Sequence, residues 1–252
     1  MDASIDQLPG VSLEELDRRA ALLRRTDVKY VIEGATFEQL IDRLSSEAQV
    51  LEIDGRRAFD YESIYFDTPS LLCFDDHVAN RRPRFKARTR LYRDSDYCTF
   101  EVKLKLADGE MDKRQVDHDP DAVAKLGEAA WDCLRTALAE VELKLPETLE
   151  PSLRTAFTRV TLLPATDGQR ITCDFDVRLE RPGDGAAELR DGLIVVETKS
   201  EQGDSPADHL LEELGIEPAG ISKYRSGISL LAPGAQDPET AETAARLFAR
   251  ED

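Results

Sequence analysis

The stretch RPRFKARTRLY constrains this chain more than any other. From Arg84 to Arg90 every second residue is basic, and Phe85, Ala87, Thr89 and Leu91 alternate with them. Successive side chains of a strand point to opposite faces. A strand here therefore carries Arg84, Lys86, Arg88 and Arg90 on one face and a mostly apolar row on the other. The chain as a whole is acidic, with a formal net charge of -18. The basic row is a local feature set against that average.

Other runs alternate in the same way: VKYVIE, YESIYFDT, YCTFEVKLKL, FTRVTLL, QRITCDFDVRLE and LIVVETKS. Glu101, Lys103 and Lys105 share a face opposite Val102, Leu104 and Leu106. Arg170, Thr172, Asp174 and Asp176 oppose Ile171, Cys173 and Phe175. Glu197 and Lys199 oppose Val196 and Thr198, and Asp27 and Lys29 oppose Val28 and Tyr30. ERPGDGAAELRDG and LADGEMDKR read as hairpin tips. In the latter, Lys113 and Arg114 either extend the basic track or form an exposed turn.

Helical signals lie between these runs. Residues 12–25 begin with a capping box, Ser12 and Glu15, and TFEQLIDRLSSEA offers another in Thr36 and Gln39. DPDAVAKLGEAAWDCLRTALAEVE starts with Asp119 and Pro120, and SPADHLLEELG is bounded by Ser205, Pro206 and Gly215. The pattern predicts an α+β fold: an antiparallel β-barrel tunnel of about eight strands with helices packed outside. It divides into an N-terminal helical segment (1–25), the main domain (26–231) and a C-terminal tail (232–252) that begins loop-like, ends as a short helix and is expected to be loosely attached.

An antiparallel sheet with one wet face also alternates. Two features set this chain apart. Residues 81 to 105 hold nine Lys/Arg against three Asp/Glu, and like charges on neighbouring strands repel when left unpaired. The amphipathic helices, in turn, need apolar strand faces to cover. With those faces covered, the charged ones line the inside. A cation-lined interior calls for an anion, and phosphate suits arginine forks and lysine point charges.

Composition narrows the alternatives. The chain is 41% hydrophobic and 33% charged, as globular chains are. No apolar run approaches the ~20 residues that span a bilayer, and MDASIDQLPG lacks a signal-peptide pattern. A cytoplasmic location is expected. Cys73, Cys98, Cys133 and Cys173 form no CxxC and read as reduced thiols. His77, His118 and His209 are scattered. The acidic balance and an aromatic content of 6% argue against nucleic acid as a partner. Tyr61 and Tyr65 share a face and read as core.

Taken in order, RTDVKYVI, YESIYFDT, FKARTRLY, FEVKLK, RTAFTRVTLL, RITCDFD, IVVETKS and ISKYRSG resemble the VTC (vacuolar transporter chaperone) domain of the triphosphate tunnel metalloenzymes. The resemblance runs from Asp27 to Leu231, and the ordered set YFDT, RxR, ExK and SKY carries it. It implies an antiparallel barrel whose basic tunnel binds triphosphate or polyphosphate with a divalent metal, Mn²⁺ or Mg²⁺. The VTC branch includes enzymes that build inorganic polyphosphate from ATP. On this resemblance Arg88, Arg90, Lys103, Arg159 and Lys223 are the catalytic residues. Lys29, Lys86, Lys105, Arg170 and Lys199 bind phosphate, and Glu197 binds the metal. Asp174 and Glu101 are either further ligands or counter-charges to nearby arginines.

The wider superfamily carries ExExK on its first strand, where this chain has RTDVK. Asp27 and Arg25 then stand at the two carboxylate positions, which suits the VTC branch better than the triphosphatases. The implied function is a polyphosphate polymerase that transfers the γ-phosphate of ATP to a growing chain. An inorganic or nucleoside triphosphatase stays open, as does a non-catalytic polyphosphate or inositol-phosphate binding module. The implied partners are ATP and inorganic polyphosphate or triphosphate, with no nucleic acid and no membrane segment in this chain. Oligomeric state is not legible.

Overall fold

Each of the seven alternating runs forms a strand in the computed structural model, which describes residues 3–20 and 26–251. In chain order, a 3-10 turn at Ala3–Gln7 precedes β1 (Gly10–Val11), α1 (Leu13–Arg19), β2 (Thr26–Glu33), α2 (Gly34–Leu44), β3 (Ala48–Leu51), β4 (Ala58–Asp67) and α3 (Leu72–Val78). There follow β5 (Arg84–Tyr92), β6 (Tyr97–Lys105), β7 (Met111–His118), a 3-10 turn (Pro120–Ala122), α4 (Glu128–Ala139), β8 (Glu150–Pro164) and β9 (Arg170–Arg181). The described residues finish with β10 (Gly185–Leu189), β11 (Leu193–Ser200), α5 (Pro206–Glu213), α6 (Lys223–Leu231), α7 (Pro238–Leu247) and β12 (Phe248–Arg250). The fold is α+β. Among the described residues there are twelve strands, eight of them eight residues or longer.

The chain forms two compact units. The first comprises Met1–Phe59, Thr158–Asp176 and Leu189–Ile221. There β11 pairs antiparallel with both β2 and β9, β3 pairs antiparallel with β8, and β1 joins β3 in parallel. One face of β2, β11 and β9 buries Tyr30, Ile32, Val196, Ile171 and Cys173 in a core shared with α2 (Phe37, Leu40, Ile41) and α5 (Ala207, Leu211). The opposite face carries Lys29, Glu197, Lys199 and Thr172.

The second unit comprises Asp60–Phe157, Val177–Glu188 and Ser222–Asp252. Its strands run in the order β12-β10-β9-β8-β4-β5-β6-β7. Phe85, Ala87, Phe100, Val102 and Leu104 form one face, packed with Ala130, Leu134, Ala137 and Leu138 of α4. Alternation then turns Arg84, Lys86, Arg88, Arg90, Lys103 and Lys105 to the face away from α4. The expected division of labour therefore holds within each unit: helices cover the apolar face and leave the charged one.

Several local expectations need correction. Helix α2 starts at Gly34, with Glu33 as an N-cap that makes no side-chain bond, so Thr36 caps nothing. The helix expected from Asp119 is broken. Asp119 caps only a 3-10 turn, and α4 starts after Gly127; a glycine inside a helix costs about 1 kcal/mol relative to alanine. Ser12 caps α1 by accepting from the Glu15 amide, and α1 ends at Arg19. Residues 21–25, including Arg25, lie outside the described residues. Lys113 and Arg114 lie in strand β7, after the tip closed by Leu106 and Glu110. The tail ends in a helix as expected, α7, but it is not loosely attached: β12 follows, Phe248 is 1% exposed and Asp237 is bonded to Arg225. Both α3 and α6 are helices that the alternating pattern did not announce. The four cysteines are free.

Candidate active site

In the second unit the charged face is built by register. Strand β5 pairs with β6 so that Arg84 faces Lys105, Lys86 faces Lys103, Arg88 faces Glu101 and Arg90 faces Thr99. Strand β7 then places Lys113 opposite Lys103. Lys86, Lys103 and Lys113 thus form one row across three strands. Like charges directly opposite one another destabilise a sheet. Lys113 of this row is offset by Glu101 of the next, and an anion lying across the row would add further counter-charge.

The next row is neutralised. Glu101, 0% exposed, accepts from Nε of Arg88 at 2.7 Å and lies 2.5 Å from its Nη2. Lys113 Nζ stands 2.9 Å from its other oxygen. Burial alone raises the Glu101 carboxyl, but the charges of Arg88, Arg90 and Lys113 outweigh it and hold the group far below the usual carboxylate range. Burial lowers Arg88, and the Glu101 and Tyr65 partners more than reverse that. Lys113 stays below its ordinary value because burial outweighs its pairing with Glu101. Arg88 also donates to the Tyr65 hydroxyl at 2.9 Å. Tyr65 is buried in the core as expected, and its hydroxyl also helps orient Arg88. Arg90 donates to Ser63 Oγ at 3.4 Å and lies over the Tyr61 ring.

Lys223 opens α6, where Ser222 caps the helix by accepting from the Arg225 amide. Its ammonium sits 4.4 Å from the centre of the Phe157 ring. The neighbouring Tyr224 donates its hydroxyl to Asp67 and stacks on Tyr65, and Lys86 lies over its ring. Asp67 also accepts from the amides of Thr68, Cys73 and Phe74, which starts α3. The aspartate of YFDT and the tyrosine of SKY are therefore direct partners. Sequence reasoning missed this pair; the recurrence of both motifs in one ordered set was its only signal.

In the first unit, Lys29 on β2 faces Glu197 on β11, which faces Thr172 on β9. Glu197 lies 3.0 Å from Lys29 Nζ and 2.5 Å from Lys199 Nζ. Burial raises its carboxyl, but Lys199, Lys29 and Arg159 together hold it well below the ordinary value. Burial wins at Lys199, which is lowered despite the same pairing. Arg159 forms a two-pronged contact with Asp174, Nε to Oδ1 at 2.6 Å and Nη2 to Oδ2 at 2.8 Å. Arg170 faces Lys199 in register and bonds Asp17 of α1 at 3.1 Å. The structure therefore brings Lys29, Lys199, Glu197 and Arg159 together, while Arg170 reaches outward to α1. Asp27 is exposed and faces Lys199.

Among the described residues no three His, Cys, Asp or Glu side chains gather as a metal cage. Glu197 and Asp174 lie on the same face of adjacent strands, one pleat apart. Such a sparse oxygen set fits a hard divalent ion that keeps its waters and takes its other ligands from phosphate. It does not fit zinc or calcium held by protein alone.

The VTC domain matches residues 24–232, and the chain belongs to this family. No curated protein matches it. Among solved structures, it is similar to HpAC1 from Hippeastrum, a candidate adenylyl cyclase described as having a dominant triphosphatase activity. That match has 17% identity and a TM-score of 0.45, covering 81% of this chain and 94% of the other. A conserved hypothetical protein from Pyrococcus furiosus matches at 14% identity and TM-score 0.39, over 79% of this chain and 98% of that one. The PH1012 protein from Pyrococcus horikoshii OT3 matches at 12% and 0.37, over 77% and 95%. No helix among the described residues is long and apolar enough to cross a membrane.

Proposed function

We propose that this chain is a metal-dependent polyphosphate polymerase that transfers the γ-phosphate of ATP to a growing inorganic polyphosphate chain. The functional domain is taken as 26–231, and the reaction is assigned to the cytoplasm. The observation that carries the reading is the row Lys86, Lys103 and Lys113, three like charges in register on a face backed by α4. Membership of the VTC family adds the expectation of ATP and polyphosphate.

Transfer breaks the bond from the γ-phosphorus to the β–γ bridging oxygen. It forms one from the γ-phosphorus to a terminal oxygen of the chain, and ADP leaves. Such chemistry needs alignment and charge neutralisation more than covalent help. Arg88, Arg90 and Lys103 hold the reacting phosphates in the second unit, with Lys223 presented on the first turn of α6. Lys86 and Lys105 extend the track along the chain. In the first unit Lys29, Lys199 and Arg170 bind phosphate, and Arg159 is oriented by Asp174. Glu197 would hold Mn²⁺ or Mg²⁺, which when bound neutralises charge on phosphate oxygens.

Synthesis is favoured over hydrolysis by the state of the carboxylates. Attacking water must lose a proton, whereas the end of a polyphosphate chain is already ionised. Glu101 is ion-paired with Arg88 and Lys113, and Glu197 with Lys29 and Lys199. Asp174 is engaged at both oxygens by Arg159.

The test is incubation with ATP and Mn²⁺ or Mg²⁺. Products are resolved on a gel stained for polyphosphate, with free phosphate assayed in parallel. Wild type is run beside Glu197→Gln, Arg90→Ala and Arg88→Ala, with folding checked by circular dichroism. Long chains that disappear in folded variants establish the polymerase. Free phosphate without chains turns the assignment to a triphosphatase. Polyphosphate binding without either product leaves a binding module.

A further inference from the structure

The charged face of the second unit changes character along its length. Following β5, the face reads Arg84, Lys86, Arg88, Arg90 and then Tyr92; following β6 in the matching direction, it reads Lys105, Lys103, Glu101, Thr99 and then Tyr97. One end is basic and the other aromatic. At the aromatic end Tyr92 faces Tyr97 in register, and their rings stack at 5.7 Å between centroids. Tyr61 packs edge-on to Tyr92 at 5.1 Å, and stacks on Phe157 at 5.4 Å with only 5° between planes.

This array is joined to the cations. Arg90 lies 5.6 Å from the Tyr61 ring centre, and Lys223 lies 4.4 Å from that of Phe157. Tyr97, the outermost ring, is 45% exposed. It is also held in place: its hydroxyl donates to Asp117 at 2.7 Å, and one ring face rests on Tyr92. A cross-strand aromatic pair that only fastens a hairpin needs no continuity with a row of arginines and lysines. A rigid, half-exposed ring at the end of a phosphate track matches a ligand with a flat aromatic head and a polyanionic tail.

We infer that the Tyr92–Tyr97 end of this face seats the base of a nucleoside triphosphate, with its phosphates running toward Arg90, Arg88 and Lys86. This rests on the phosphate-binding reading above and adds a direction to it: the nucleoside lies at the aromatic end and the phosphate chain extends toward Arg84 and Lys105. Stacking tolerates any base because every base has a π-face. GTP therefore substitutes for ATP with affinity within a few-fold.

The test compares ATP with inorganic triphosphate as probes in calorimetry with Mg²⁺, using the full chain as wild type, Tyr97→Ala, Tyr97→Phe and Tyr92→Leu. Stacking worth ~1–3 kcal/mol predicts that Tyr97→Ala weakens ATP roughly 5- to 150-fold. Inorganic triphosphate stays within about twofold of wild type, since nothing aromatic binds it. Tyr92→Leu behaves like Tyr97→Ala, and Tyr97→Phe retains wild-type ATP affinity. Equal weakening of both probes, or no change in either, overturns the base seat while leaving the phosphate reading intact. Failure of wild type to bind inorganic triphosphate overturns the phosphate reading, and the base seat with it.

Discussion

Arg88 and Glu101 meet across β5 and β6 as a buried ion pair, Nη2 to Oε2 at 2.5 Å, immediately beside a row of three lysines. Glu101→Gln keeps the shape and removes the charge, leaving Arg88 buried without its carboxylate. Breaking a buried pair from one side costs roughly 3–5 kcal/mol. The urea midpoint should fall by that equivalent with an unchanged slope. Added triphosphate should then recover more stability in the variant than in wild type, because the anion takes over the role of Glu101. A midpoint equal to wild type would show that Arg88 is neutralised by another group.

What the sequence made legible here was alternation, and what it hid was register. The side of β5 that carries Arg84, Lys86, Arg88 and Arg90 follows from period two alone. That Arg88 meets Glu101 while Lys86 meets Lys103 depends on the β5–β6 hairpin, whose turn between Tyr92 and Tyr97 fixes the pairing. Tyr65 is core, as its pattern suggested, but a tyrosine on a strand does not reveal that its hydroxyl will meet an arginine 23 residues away. The Tyr224–Asp67 bond spans 157 residues. Helix α3, at seven residues, is too short to show a period, and α6 is started by Ser222 in a stretch that reads as loop. The two units were not legible either, because β8 and β9 each contribute residues to both.

His77 in α3 gives a pH signature. Burial, then the nearby charges of Lys86, Arg84 and Arg225, push its imidazole down to about 3, with Asp237 opposing them. The unfolded chain takes up this proton below about pH 6.5, while the folded chain resists until about 3. The unfolded state thus binds more protons in that window, and stability falls as pH drops through it. Glu101 and Glu197 are held low, so their contributions are lost progressively as pH falls from the ordinary carboxylate value of about 4.5 downward. Denaturation midpoints measured between about pH 6.5 and 5 should decline in wild type and flatten in His77→Asn. Parallel slopes for the two proteins would remove His77 as the source.

Gly227 shows how α6 is held at the site. A Cβ there would lie 2.5 Å from Cδ2 and 2.7 Å from Cδ1 of Leu153, a side chain that is itself fully buried. Gly227→Ala gains at most about 1 kcal/mol in helix propensity. Overpacking a tight core costs roughly 1–3 kcal/mol. Thermal melting should show a net loss. Moving α6 outward also displaces Lys223 from Phe157, so triphosphate affinity should drop in calorimetry even where the variant is fully folded. An unchanged melting temperature would mean that Leu153 rotates aside at no cost.

Glu197 is where metal binding and charge balance make opposite predictions. As a counter-charge alone, its carboxylate offsets Lys29, Lys199 and Arg159. Glu197→Gln would then remove the shared counter-charge of Lys29 and Lys199 while Arg159 keeps Asp174, and phosphate would bind more tightly with no change in metal requirement. As a metal ligand, its loss raises the Mn²⁺ or Mg²⁺ concentration needed for half-maximal turnover, by about tenfold or more for the loss of a carboxylate ligand worth ~1.4 kcal/mol. The proposed function requires the second result. Triphosphate binding is measured first in chelator and then across a metal titration, with turnover followed alongside. Tighter binding in chelator together with an unshifted metal curve would reduce Glu197 to a neutralising group and place the metal on the substrate alone.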